Sequence, residues 1–218
     1  MQIPRSYYAP LTLRGRDQLP MNPFAHAAPR RIAMVCCAIL LALVPASPVR
    51  AQAYERTQAY ERAQAHDRAQ VEAAYVVNFM RYTEWPAAAL AAGAPLVVVV
   101  HRASATGDAV AAIAAGGTRI GSHPIEVRRT RTKESLEHEL AGAHVLYTAG
   151  DLDVAIGLAG DFVLTIGRSP TFAAKGGMLA LVRLGDRVVF DANLPAIRAA
   201  GLSLSAKVLA LARHVEGR

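Results

Sequence analysis

Apolar positions along this chain recur with two different periods, and the points where the period changes divide it into elements. The first strong helical signal is Ala73–Pro86: Tyr75, Phe79 and Tyr82 fall at i, i+4 and i+7, with Val76, Met80 and Thr83 on the adjacent face. Pro86 lacks a backbone donor and pushes Trp85 out of helical space, so this helix is expected to stop at about Glu84. From Gly93 the grammar changes. Pro95–Val100 reads as a strand buried on both faces, Asp108–Ala115 as a short helix, and Gly116–Gly121 as a loop. Ile125–Arg128 alternates apolar and charged residues, which suits a half-exposed or edge strand. A polar helix over Lys133–Leu140, a strand over Ala143–Thr148, a brief crossover over Asp151–Ala159 and a strand over Phe162–Ile166 follow. The pattern then becomes a hairpin, Met178–Val182 and Val188–Ala192 around Leu184-Gly185-Asp186, before a helical turn at Pro195–Ala200 and a closing helix over Ser205–Val215. Alternating strands and helices of these lengths predict an α/β domain whose early strands are mostly parallel, with a C-terminal β-hairpin and a closing helix.

What precedes this domain reads as delivery and spacing. Residues 1–20 show no periodicity and read as a gene-model extension before an initiator at Met21. Residues 21–51 read as a signal peptide, with Arg30-Arg31, an apolar run from Ile32 to Val44 and a cleavage site at Val49-Arg50-Ala51. That run is shorter than the ~20 residues a membrane span needs. Residues 52–70 repeat a six-residue unit three times. Each repeat advances about 120° around a helix, so the tract is helix-prone but builds no continuous apolar face. Residues 71–218 remain as the domain.

Composition changes this picture in two places. The net charge of +7 falls to +2 once the leader's six arginines and one aspartate are set aside, which removes the electrostatic case for nucleic acid. Both cysteines, Cys36 and Cys37, lie in the leader, so the exported form is expected to carry no thiol, disulfide or thiolate metal site.

Candidate chemistry is sparse. The first strand-to-helix loop, His101–Asp108, carries one glycine where a dinucleotide turn needs several, so no cofactor is expected. Neighbouring positions in Glu137-His138-Glu139 diverge around a helix and cannot converge on one metal ion. No serine lies in a Gly-x-Ser-x-Gly turn, and no catalytic residue is assigned. Asn78 stands out as an amide within an apolar helix, where burial would oblige it to find partners. Asn193 is placed to cap a turn beginning at Leu194, and Lys207 near a helix start opposes the helix dipole.

Three ordered motifs carry a family resemblance: Ala73–Pro86 with Tyr75, Asn78, Phe79, Glu84, Trp85 and Pro86; Gly176-Gly177-Met178 with Val188–Leu194, including Asn193; and Ala199–Leu209, including Gly201, Ser205 and Lys207. Together they resemble the YfiR-like family of periplasmic regulators over roughly residues 71–215. The resemblance implies a Rossmann-like single α/β domain, a homodimer, and no cofactor or active site, with the motif residues mainly structural and the partner-binding residues unidentified. It also implies a partner, the periplasmic sensor region of a membrane diguanylate cyclase held inactive, so that cyclic di-GMP stays low and biofilm is disfavoured. An outer-membrane lipoprotein would sequester the regulator. Relatives carry cysteine pairs that this domain lacks, so redox control is not implied here. The alternative is a periplasmic small-molecule binding protein reporting to a membrane receptor, with His101, Arg102 and Thr106 lining the cleft.

Overall fold

The computed structural model describes residues 48–150 and 152–217. The expected gene-model extension, nearly all of the expected signal peptide, and Cys36 and Cys37 lie outside the described residues. The first described element, α1 (Pro48–Tyr82), is a single 35-residue helix that carries the six-residue repeats straight into the aromatic segment. Its two halves differ as their patterns demand. Tyr54 and Tyr60 in the repeats are 67% and 66% exposed, whereas Ala69, Ala73, Val76, Val77, Phe79 and Met80 are buried. The helix ends at Tyr82, two residues before the expected stop, because Thr83 turns its hydroxyl back to donate to the Phe79 carbonyl at 2.8 Å. Thr83–Glu84 then forms β1, pairing antiparallel with β9 (Ser203–Leu204) far along the chain.

The remaining strands are β2 (Leu96–His101), β3 (Arg119–Ile120), β4 (His123–Thr130), β5 (Val145–Thr148), β6 (Leu164–Gly167), β7 (Leu179–Leu184), β8 (Arg187–Asn193) and β10 (His214–Glu216). They form one sheet in the order β3-β4-β2-β5-β6-β7-β8-β10. Strands β4, β2, β5, β6 and β7 run parallel, β8 returns antiparallel to β7 across the two-residue turn Gly185-Asp186, and β10 runs parallel to β8. The expected α/β class with parallel early strands and a late hairpin is what the chain adopts.

Helices cover both faces. Leu96, Val98 and Val100 of β2 point into the core formed with α1 and with α2 (Ser104–Ala115). Val97 and Val99 point the other way, against Leu136 of α3 (Lys133–Glu139) and Ala155 of α4 (Leu152–Leu158). The valine run is thus buried on both faces, as its lack of alternation implies. Phe79 meets Phe190 of β8 edge-on at 4.9 Å, and the Tyr75 hydroxyl donates to the Val188 carbonyl at 2.8 Å, which fastens α1 to the hairpin.

Several boundaries depart from the sequence pattern. Helix α2 begins at Ser104, not Asp108. Gly107 lies inside it, at a position where a Cβ would stand 3.3 Å from Val100 and 3.1 Å from Arg129. The Gly116–Gly121 segment is not wholly loop, since Arg119–Ile120 pairs with β4 as the sheet's edge strand. The closing helix is cut to one turn, α6 (Ala206–Leu209). The stripe expected of Val208, Leu211, Ala212 and Val215 does not form, and Leu211 is 76% exposed. Instead Arg213 donates from its backbone to Phe190 and from its guanidinium to both Asp191 oxygens, drawing the chain onto the free edge of β8 as β10. Pairing that edge satisfies backbone groups that a longer helix would have left open.

Candidate functional site

The residues that shape the candidate site follow the carboxyl ends of the parallel strands. After β2 the chain enters α2 on one face of the sheet, whereas after the neighbouring strand β4 it enters α3 on the other. Adjacent strands whose following helices leave toward opposite faces open a crevice at their carboxyl ends, where ligands bind in open α/β sheets. Here the crevice is a cleft of about 510 Å³ lined by Val100, Arg102, Ala103 and Ser104 from the β2 side and Arg129, Thr130 and Arg131 from the β4 side.

Arg102 holds a left-handed backbone conformation, φ 55°, and its amide donates to the Thr130 carbonyl at 3.0 Å, which lets the chain turn sharply from β2 into α2. The Arg129 guanidinium lies 3.0 Å from Asp108 and 3.3 Å from the Gly107 carbonyl. Arg131 projects from the end of β4 and is exposed. At the start of α2, Ala103 supplies no side-chain cap to the first amides of that helix. Three arginines thus line this concave surface, and one of them is ion-paired to Asp108.

Of the three residues expected to line a cleft, only Arg102 does so. His101 is buried at 1% exposure with its Nδ1 2.9 Å from the Thr130 hydroxyl. Thr106 is fully buried and turns into a second cluster that the sequence pattern did not reveal. Its centre is Glu72, on the inward face of α1 and 1% exposed. One carboxylate oxygen accepts from Arg68 at 2.7 Å. The other accepts from the Thr106 hydroxyl at 2.9 Å, the Tyr147 hydroxyl at 2.7 Å and Arg168 at 2.5 Å. Burial alone would raise the Glu72 pKa. The Tyr147 hydroxyl and the arginines outweigh it and hold the carboxyl below its ordinary range, while the same burial and the carboxylate push the Tyr147 hydroxyl up. Tyr147 is the penultimate residue of β5 and Arg168 follows β6, so the cluster ties α1 to the same sheet edge that carries the cleft. Its signal in the sequence was an acidic residue one turn ahead of an aromatic stripe, with no local pattern to name its partners.

The motif residues make packing, capping and turn contacts. Trp85 donates from its indole to the Phe162 carbonyl at 3.0 Å, and Pro86 accepts the turn amides of Ala89 and Leu90. Gly177 gives way to the Phe172 ring, since a Cβ would stand 2.3 Å from it. Gly201, at φ 71°, similarly makes room for Phe162, and Gly176 takes φ 98°. Asn193 caps α5 (Leu194–Ala199), accepting from Ala196 at 2.9 Å while donating to Ala173 at 2.9 Å. Leu194 packs half-buried beside the core, and Ser205 caps α6 by accepting from the Lys207 amide. Asn78 is exposed, so the expected need for buried partners does not arise; Glu84 and Lys207 are exposed as well. Lys207 lies in a one-turn helix whose dipole is too short to weigh against it.

Among the described residues no cluster of three or more His, Cys, Asp or Glu could hold a metal ion, and no helix is long and apolar enough to cross a membrane.

Comparison with solved structures returns distant α/β neighbours. A conserved domain protein from Vibrio cholerae O1 biovar El Tor is 13% identical with a TM-score of 0.40, over 58% of this chain and 55% of that one. The ABC domain in complex with L-Trp from Streptococcus pneumonia is 8% identical with a TM-score of 0.40, over 56% and 55%. The chain thus spans about half the length of the solved structures it matches. No curated protein matches it. A family model described as YfiR/HmsC-like matches residues 69–213, from the last buried turns of α1 to the Arg213 clasp, and the chain belongs to that family.

Proposed function

We propose that this protein is a periplasmic regulator that binds the periplasmic sensor region of a membrane diguanylate cyclase, holds the cyclase inactive and so lowers cyclic di-GMP. The family match over residues 69–213 carries this reading, because the YfiR/HmsC-like family points to periplasmic regulation in cyclic di-GMP signalling by proteins that are not enzymes. The mechanism is a population shift. The regulator binds the inactive cyclase conformer better than the active one, and the ratio of the two affinities sets the degree of repression. The regulator acts as a homodimer, is exported by the signal peptide over residues 21–51, and is withdrawn from the cyclase when an outer-membrane lipoprotein sequesters it. None of these steps requires bond-making chemistry in the regulator itself.

Deleting the gene should raise cellular cyclic di-GMP severalfold. A plasmid copy of the full chain should restore the low level, and a copy lacking residues 21–51 should not. Unchanged cyclic di-GMP on deletion, or equal rescue by the unexported copy, would sink the proposal.

A further inference from the structure

We infer that the open edge of β4 is the surface on which two copies of this chain join, strand against antiparallel strand, about a two-fold axis through Val127. The Arg102 amide donates to the Thr130 carbonyl at 3.0 Å, so Thr130 aims its backbone groups at β2. By the alternation of a strand, Arg128 and Glu126 do the same, while Ile125, Val127 and Arg129 aim theirs away from the sheet. On that side β3 stops short, pairing only Arg119 with Pro124 and Ile120 with His123. The outward amides and carbonyls of Ile125, Val127 and Arg129 therefore find no backbone partner among the described residues. Accordingly β4 is half-buried from His123 to Arg128, where β2 is buried throughout. The sheet's other edge, β10, is only three residues long and offers a shorter template.

An unpaired edge accepts another strand, and the side chains of this one select a copy of itself. Hydrogen bonding sets outward residues opposite outward residues, so the two-fold axis must pass through a residue and not between two. An axis through Glu126 opposes that carboxylate to its own copy, and one through Arg128 does the same to a guanidinium. Axes further along reach the segment that β3 covers or run past the end of the strand. An axis through Val127 opposes Glu126 of each copy to Arg128 of the other, at the positions between backbone bonds where side chains approach most closely. It also brings Val127 against Val127, extending the apolar face that Ile125 and Val127 already pack on the core. Glu126 and Arg128 are 2.7 Å apart within one strand, with side chains 44% and 29% exposed, so both lie at the surface where a second copy would share them.

This surface deepens the homodimer of the proposed function and rests on that part of it alone; it needs neither the cyclase nor a ligand.

The test is sedimentation of the purified full chain over a concentration series, under reducing conditions that keep Cys36 and Cys37 from linking chains. A monomer–dimer equilibrium is expected. Val127→Pro removes an outward donor that the ladder to β2 does not use, and should abolish the dimer. Glu126→Arg and Arg128→Glu each oppose like charges across the axis and should each weaken dimerisation about tenfold. Mixed in equal amounts, the two charge variants regain opposite charges and should pair with each other nearly as well as the wild type does. Circular dichroism and melting curves check that each variant is folded, and Glu126→Arg, at an exposed side chain, decides the matter should Val127→Pro not fold. A monomeric wild type overturns this surface and the homodimer together. A dimer that the folded variants leave intact overturns this surface alone, and mixing without rescue overturns the axis through Val127.

Discussion

Glu72 shows how one side chain can matter more than its surroundings in the sequence suggest. It is almost wholly removed from water, yet it carries charge, and that is tolerable because both oxygens are saturated by Arg68, Thr106, Tyr147 and Arg168. Glu72→Ala should therefore leave Tyr147 and Thr106 as buried donors without an acceptor, at a cost of about 2 kcal/mol in urea unfolding. The loss stays below that of a fully buried ion pair because both arginines keep about a third of their surface in water and can be solvated. Tyr147→Phe removes one bond and should cost about 1 kcal/mol. A Glu72→Ala loss under about 0.5 kcal/mol would mean that the cluster merely fills space. A different compromise operates at Gly177 and Gly201, where glycine is required by the rings of Phe172 and Phe162 and not by any functional group.

Helix α1 is the element on which the fold hinges, and its two halves respond differently to change. The inner half places Phe79 against Phe190 and Tyr75 against the β8 backbone, so it is ordered by tertiary packing. The outer half has weak apolar character and no stripe, and it continues the same helix because nothing in the repeats interrupts it. Phe79→Ala should cost about 3–5 kcal/mol of unfolding free energy through lost burial and an unfilled cavity. Tyr60→Ala, on the exposed half, should stay within about 0.5 kcal/mol. Comparable losses at the two positions would show that the repeats also carry tertiary contacts. The hairpin obeys a simpler logic: its two-residue turn fixes the register Leu184↔Arg187, and that register puts Phe190 under α1.

At the scale of the whole molecule, acid stability follows from groups that the fold holds in one protonation state. His144 is buried, accepts from the Val97 amide at Nδ1 and donates to the Ala89 carbonyl at Nε2, an arrangement only the neutral ring can make. Burial, opposed by the Ala89 bond and helped by the nearby His123 and Arg128, lowers its pKa. The unfolded chain then binds the proton more readily than the folded one, so stability is lost as pH falls below about 6.5. Glu72 works in the same direction in a lower window. Its stabilisation is complete above the ordinary carboxylate value of 4.5 and disappears as pH drops through its lowered pKa. Unfolding free energies at pH 7.5 and 5.5 should differ in the wild type and differ less in His144→Asn, which keeps an acceptor for Val97 but cannot titrate. An unchanged difference would remove His144 from the account. The sequence by itself determined the α/β class, the doubly buried valine strand, the hairpin and the Asn193 cap, because each rests on local periodicity or on the chemistry of a few adjacent residues. Only the tertiary structure decided that Asn78 faces water, that the closing segment becomes an edge strand, that Glu72 meets Tyr147 and Arg168, and that Arg102, Arg129 and Arg131 share one cleft. Those outcomes depend on which strand ends become neighbours, and sheet order is set by packing between segments dozens of residues apart, which no local pattern encodes.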